Sequence, residues 1–207
     1  EGTYNVGKMC EKYQCDLISF SSSSVFGNGR PPINENATQK PISFYGMTKS
    51  MGEQIVNNLN VHTVIVRPFS VYGPKGRPDM VFYKWINQYK AGRPVTVYDN
   101  MLACRGYTYV TDLCWAVQAM IETKIMAAHR SYNIGGNEII HTSELLDIFS
   151  DALPGFSKLV RHMPPPATDI VVNYADISAA KRDLGYDPPK VFRENLKHII
   201  ESELEEA

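Results

Sequence analysis

Along the first seventy residues, hydrophobic and polar positions alternate between a helical period and short uninterrupted apolar runs. Residues 3–15 (TYNVGKMCEKYQC) predict a helix, with Tyr4, Met9, Cys10 and Tyr13 near one face. DLISF at 16–20 is a short apolar strand that runs into SSSSVFG. Residues 27–43, rich in Gly, Pro and Asn, predict a loop. The helical period returns over 44–59, where Met47, Met51, Ile55 and Leu59 are spaced for burial. HTVIVRP at 62–68 is nearly all apolar and β-branched, as a parallel strand covered on both faces should be. Strand, helix, strand is one βαβ unit, and it predicts an α/β sheet.

Beyond Pro68 the pattern loosens. A helix is expected at 79–91 with Asp79 as N-cap and Gly92 just past its end, then a strand at 95–98 and extended GYTYV at 106–110. A helix at 111–123 is capped by Thr111 or Asp112, and SYNIGG at 131–136 reads as a strand and turn. Residues 142–152 read as helical, and 158–163 and 170–175 as extended. Helix 177–184 takes Asp176 as N-cap and Gly185 as its stop, and a last helix spans 192–205. This half is a mixed α+β lobe, separate in character from the βαβ start.

Composition narrows the partners. A formal charge of −1 gives no electrostatic case for nucleic acid or an anionic membrane surface. No apolar run approaches the ~20 residues of a membrane span. The four cysteines, Cys10, Cys15, Cys104 and Cys114, form no CxxC pair, and the five histidines stand singly, so no metal site is expected. Unpatterned thiols fit a reducing compartment, and a cytoplasmic location is the expectation. The chain opens at Glu1 without a methionine, as an excised or processed piece would.

Four segments stand in an informative order: FSSSSVFG (20–27), YGMTK (45–49), VRPFSVYGPKGRPDM (66–80) and CRGYTYVTD (104–112). Together they resemble the extended short-chain dehydrogenase/reductase family, the epimerases and dehydratases of nucleotide sugars. Within it, SSSSVFG, GPKGRPDM and NYADISAAKRDLGYDPP (173–189) look most like UDP-glucuronate 4-epimerases. The resemblance implies the C-terminal part of a Rossmann-like, doubly wound parallel sheet with a small mixed α+β substrate-binding lobe. Residues 1–70 would be a partial Rossmann-like region with the Ser/Tyr/Lys elements. Residues 71–207 would be mainly the sugar-nucleotide lobe, with a strand returning to the sheet near 131–134.

The resemblance also assigns roles. Tyr45 and Lys49, four apart, share one helix face. A tyrosine with a pKa near ~10 is a poor base at neutral pH, and a nearby ammonium together with the positively charged nicotinamide of NAD favours the phenolate. Tyr45 would then take a sugar hydroxyl proton, with Ser22 hydrogen-bonding that hydroxyl. Tyr45, Lys49, Pro68, Phe69 and Ser70 would meet the cofactor. Ser22, Ser23, Arg77 and Arg105 would meet the substrate, the arginines through bidentate contacts to phosphate or acid groups. Arg67 is read as a strand end, and Asp169 and Tyr174 as structural. Dehydratases and decarboxylases of the family carry acids after the catalytic Ser or Thr, whereas Ser23 and Ser24 follow here, which favours epimerisation.

Two departures qualify the likeness. Gly106 and Thr111 stand where the family's RDFTYVDD has acids. The GxxGxxG turn that holds the pyrophosphate of NAD is missing from this chain, so the DLISF strand is expected to lack its inner neighbour. Two functions from different classes follow. One is the C-terminal portion of an NAD-dependent 4-epimerase, forming a homodimer through helices that include 44–59 or a larger assembly supplying the missing part. The other is an inactive truncated relative docked on a partner as a binding or structural subunit.

Overall fold

The computed structural model describes residues 1–98, 103–123, 130–165 and 170–205; Asp169 lies outside them. Helix α1 (Gly2–Tyr13) leads into strand β1 (Leu17–Phe20), a 3-10 turn at Ser23–Phe26, helix α2 (Phe44–Asn57) and strand β2 (Thr63–Pro68). Strand β7 (Arg130–Ile134) completes a parallel sheet in the order β1-β2-β7, with Leu17 opposite Thr63 and Val64 opposite Arg130. The central strand β2 is buried along nearly its whole length, as its β-branched sequence requires. Among the described residues no strand occupies the other edge of β1, and Phe20 at its end is 47% exposed.

The second half assembles smaller sheets from distant segments. Strand β3 (Val71–Tyr72) pairs with β6 (Thr108–Tyr109), and β4 (Val95–Tyr98) with β9 (Val160–Met163). Strand β5 (Cys104–Gly106) lies between β8 (Ile139–His141) and β10 (Val172–Asn173). Helices α3 (Val81–Lys90), α4 (Val110–Glu122), α5 (Thr142–Ala152), α6 (Phe156–Leu159), α7 (Ser178–Leu184) and α8 (Phe192–Glu205) complete the chain. The largest core joins Phe82, Trp85, Ile148, Phe149, Phe156, Phe192 and Leu196. A second core backs the parallel sheet through Val64, Val66, Ala116, Met120, Tyr132 and Tyr186.

Several local expectations need correction. Met47 and Met51 do not face the core; they are 48% and 61% exposed, and Tyr4, Met9 and Tyr13 of α1 are exposed as well. The inner face of α2 is instead Gly46, Ser50, Glu53 and Val56. It is small and polar because α2 lies against strand ends, where a backbone carbonyl and an arginine need partners. Asp79 does not cap α3, whose N-cap is Met80; its carboxylate pairs with Arg77 at 3.2 Å. Neither Thr111 nor Asp112 caps α4, which begins after Tyr109. Asp176 does accept a backbone hydrogen bond, from Ser178 N at 2.9 Å, one residue ahead of the formal cap.

Candidate active site

The carboxyl ends of β1 and β2 open into a cleft, where ligands bind in open α/β sheets. Past Phe20 the ladder continues for one bond, Ser21 N to Val66 O at 2.7 Å, and the chain then tightens into the 3-10 turn. Ser22 caps that turn: its Oγ accepts from Ser24 N at 3.2 Å. Ser43 caps α2 by accepting from Gly46 N at 3.0 Å, which sets Tyr45 in the first helical turn. Gly46 lets this turn approach closely, since a Cβ there would stand 2.5 Å from the Ser24 carbonyl oxygen. The Tyr45 ring is half exposed to the cleft.

Lys49, one turn on, donates from Nζ to the Phe20 carbonyl at 2.9 Å and sits 5.8 Å from the Tyr45 ring centroid. That bond uses one of three ammonium donors. The next residue on this stripe, Glu53, is buried in a bidentate pair with Arg67, whose Nε and Nη2 donate to Oε1 and Oε2 at 2.9 and 2.7 Å. Burial alone would push the Glu53 carboxyl up; hydrogen bonds from Arg67 and Gln39 outweigh it and hold the carboxyl below its usual range. Arg67 also donates from Nη1 to the Glu35 carbonyl at 2.9 Å, so it ties the 27–43 loop to the strand end.

One cleft of about 910 Å³ brings together Ser22, Ser23, Tyr45, Pro68, Ser70, Arg77 and Arg105. Lys49 is not on its lining and stands behind Tyr45, which is. The Phe69 side chain does not reach it either. That ring is fully buried with Val25, Phe26 and Ile33, because Ser70 adopts a left-handed φ of 32° and turns the chain after Pro68. The remaining wall comes from β5 and β10, where Asn173 lies opposite Arg105 and donates from Nδ2 to Ser23 Oγ at 3.2 Å. Tyr174 packs over Gly106, whose Cβ, if present, would be 3.0 Å from the tyrosine Cβ. The acid that the family pattern places there would crowd this contact.

Along the cleft's described lining, cations outnumber anions. Among its described lining residues are Lys75, Arg77 and Arg105, and no carboxylate. Two tyrosines line it and differ in kind: Tyr72 is buried, which pushes its hydroxyl up and keeps it neutral, whereas Tyr45 is open to a ligand. The arrangement suits a polar, anionic ligand with hydroxyl groups in reach of Ser22 and Tyr45. Asn173, Lys75, Tyr72 and Glu53 are contributions that motif reading missed. Only Glu53 carries a signal, eight residues after Tyr45 and so on the same stripe.

The profile of the NAD dependent epimerase/dehydratase family matches residues 1–135. The "uncharacterized UDP-glucose epimerase YtcB" of Bacillus subtilis (strain 168) is 30% identical over 196 residues, covering 92% of this chain and 61% of that protein. UDP-glucuronate 4-epimerase 1 of Arabidopsis thaliana is 28% identical over 221 residues, covering 96% of this chain and 52% of its own length. The chain thus spans between half and two thirds of the length of these relatives. A UDP-glucuronic acid 4-epimerase from Bacillus cereus, crystallised with UDP-glucuronic acid and NAD, superimposes with a TM-score of 0.87 at 28% identity, over 97% of this chain and 66% of that one. With this match and the Rossmann-like α/β architecture, the chain belongs to the NAD dependent epimerase/dehydratase family.

Proposed function

We propose that this chain is the catalytic and sugar-nucleotide-binding part of an NAD-dependent UDP-sugar 4-epimerase, acting on UDP-glucuronate or a close analogue by transient oxidation at C4. The observation that carries the reading is the cleft itself, whose lining brings Ser22 and Tyr45 together with Arg105, Arg77 and Lys75. Three cations suit a diphosphate and a sugar acid. The absence of any acid beside Ser22 among the lining residues leaves nothing to drive an elimination, which favours epimerisation.

The strand-end residues fit the nicotinamide end of the cofactor: Lys49 has ammonium donors to spare, and Pro68 and Ser70 form the adjacent floor. Bound NAD supplies the hydride acceptor and donor at the sugar carbon. Tyr45 takes the proton of the reacting hydroxyl and returns it, while Ser22 holds that hydroxyl in line. Lys49 Nζ stands 5.8 Å from the centroid of that ring, one helical turn on from Tyr45. Arg105 and Arg77 retain the nucleotide diphosphate while the sugar turns over between the two half-reactions. The exposed apolar face shared by α1 and α2 supports a homodimer formed through those helices.

Tyr45→Phe tests the reading. In the complete NAD-loaded enzyme it is expected to lower the conversion of UDP-glucuronate by about 10²-fold or more, with UDP-sugar affinity within about threefold of wild type by calorimetry. Turnover at the wild-type rate would remove Tyr45 from the chemistry. No turnover by the wild-type enzyme would overturn the substrate assignment.

A further inference from the structure

Tyr45, Lys49 and Glu53 follow one another at four-residue spacing along α2, so each is the helical neighbour of the next. Lys49 therefore has two acceptors within its range: the Phe20 carbonyl, which it uses at 2.9 Å, and the Glu53 carboxylate, which it does not. An anion is the stronger acceptor of the two. What prevents the capture is visible. Both oxygens of Glu53 are occupied by Arg67, and Oε2 also accepts from Gln39 Nε2 at 2.5 Å. Ser50 donates to Gln39 Oε1 at 2.6 Å and so orients the amide with its nitrogen toward Glu53. Arg67 is itself held against the Phe26 ring, 5.2 Å from its centroid, and by the Glu35 carbonyl.

We propose that Arg67 is a positioning residue for Lys49: by saturating the buried Glu53 carboxylate it keeps the ammonium beside the Phe20 carbonyl and the Tyr45 ring. The pair thus does more than brace α2 against β2. Without the guanidinium, a buried carboxylate faces the nearest cation on its own helix stripe, and Lys49 turns one step down the helix, away from Tyr45. Bidentate guanidinium geometry matters here, because a single ammonium at position 67 satisfies one oxygen and leaves the other open.

This inference rests on the catalytic reading of Tyr45 and Lys49, and its test separates the two. In the complete NAD-loaded epimerase, Arg67→Gln is expected to lower kcat for UDP-glucuronate by about tenfold or more, with KM within about threefold. Arg67→Lys loses less. The decisive variant is the double substitution Glu53→Gln/Arg67→Gln, which removes the competing anion together with its guard. It is expected to recover kcat to within about threefold of wild type. A double variant as impaired as Arg67→Gln would overturn the proposal. Where Arg67→Gln fails to fold, Arg67→Lys keeps a cation on the buried carboxylate and carries the comparison: a kcat at the wild-type level would overturn the proposal. A crystal structure of Arg67→Gln provides the arm independent of activity. Lys49 Nζ on the Glu53 carboxylate supports the proposal; Nζ still on the Phe20 carbonyl sinks it, whether or not the wild-type enzyme epimerises UDP-glucuronate.

Discussion

Gly46 carries no chemistry, yet it decides whether Tyr45 can stand where it does. A Cβ at this position would lie 2.5 Å from the Ser24 oxygen and 3.0 Å from Pro41 Cβ, and the first of these is backbone that cannot swing aside. Gly46→Ala gains about 1 kcal/mol of helix propensity but forces apart the serine turn and α2. We expect a net loss of about 1–2 kcal/mol in urea unfolding, with an altered environment at Ser22–Ser24; unchanged stability would show that the two backbones are not in contact. At this scale the motifs made part of the site legible. The serine run, the Tyr–Lys spacing and the arginines of GPKGR and CRG all fall on or beside one cleft. Phe69 was not legible, since the alternation of inward and outward side chains ends with the strand and the turn at Ser70 resets it. Asn173 was not legible either, because its partner Ser23 is brought near only by the tertiary fold.

At the scale of elements, periodicity located most helices and strands to within a residue or two but did not orient α2. An apolar stripe marks a face that is buried somewhere; in this chain it points outward, and the polar stripe faces the sheet. That polar stripe is intelligible once the 27–43 loop is placed. The loop is tied down at Glu35, whose Oε1 accepts from Asn133 N at 2.9 Å and whose carbonyl accepts from Arg67. Burial pushes the Glu35 carboxyl up, an effect that the Asn133 bond only partly offsets. Folding therefore favours its protonated form. The stability tied to that proton is present below the ordinary carboxylate range and is lost as pH rises through the raised folded value. Glu53 behaves in the opposite sense: its contribution is present above the ordinary range and is lost as pH falls through the lowered value. Glu35→Gln keeps the acceptor and removes the buried charge. Its thermal midpoint is expected to exceed wild type by a few degrees at pH 7 and to match it near pH 4. Equal midpoints at both pH values would mean that Glu35 is not strained by burial.

At the scale of the whole molecule, the α/β class read from a single strand–helix–strand unit matches the parallel sheet, and the ordered motifs placed the chain in its family. Less legible was the surface. Tyr4, Val6, Met9 and Tyr13 on α1, with Phe44, Met47 and Met51 on α2, expose apolar area on neighbouring helices. Exposed apolar area on two adjoining helices is a candidate interface. Met47→Lys with Met51→Lys is expected to halve the mass measured by sedimentation equilibrium while leaving the far-ultraviolet circular dichroism intact; an unchanged mass would place any self-association elsewhere.

The pairing of β5 with β10 has a consequence for how this molecule comes into being. Arg105 and Asn173 meet across a large part of the chain in a parallel register, as do β4 and β9. Parallel contacts between distant segments require long loops to close before they contribute, so they form slowly. On the ribosome, the serine turn, α2 and β2 emerge before β5 and β10, and β1 and β2 pair with each other. The strand that carries Arg105 waits for β10, from the last third of the chain, and until Asn173 arrives the cleft that Tyr45 faces lacks part of its far wall.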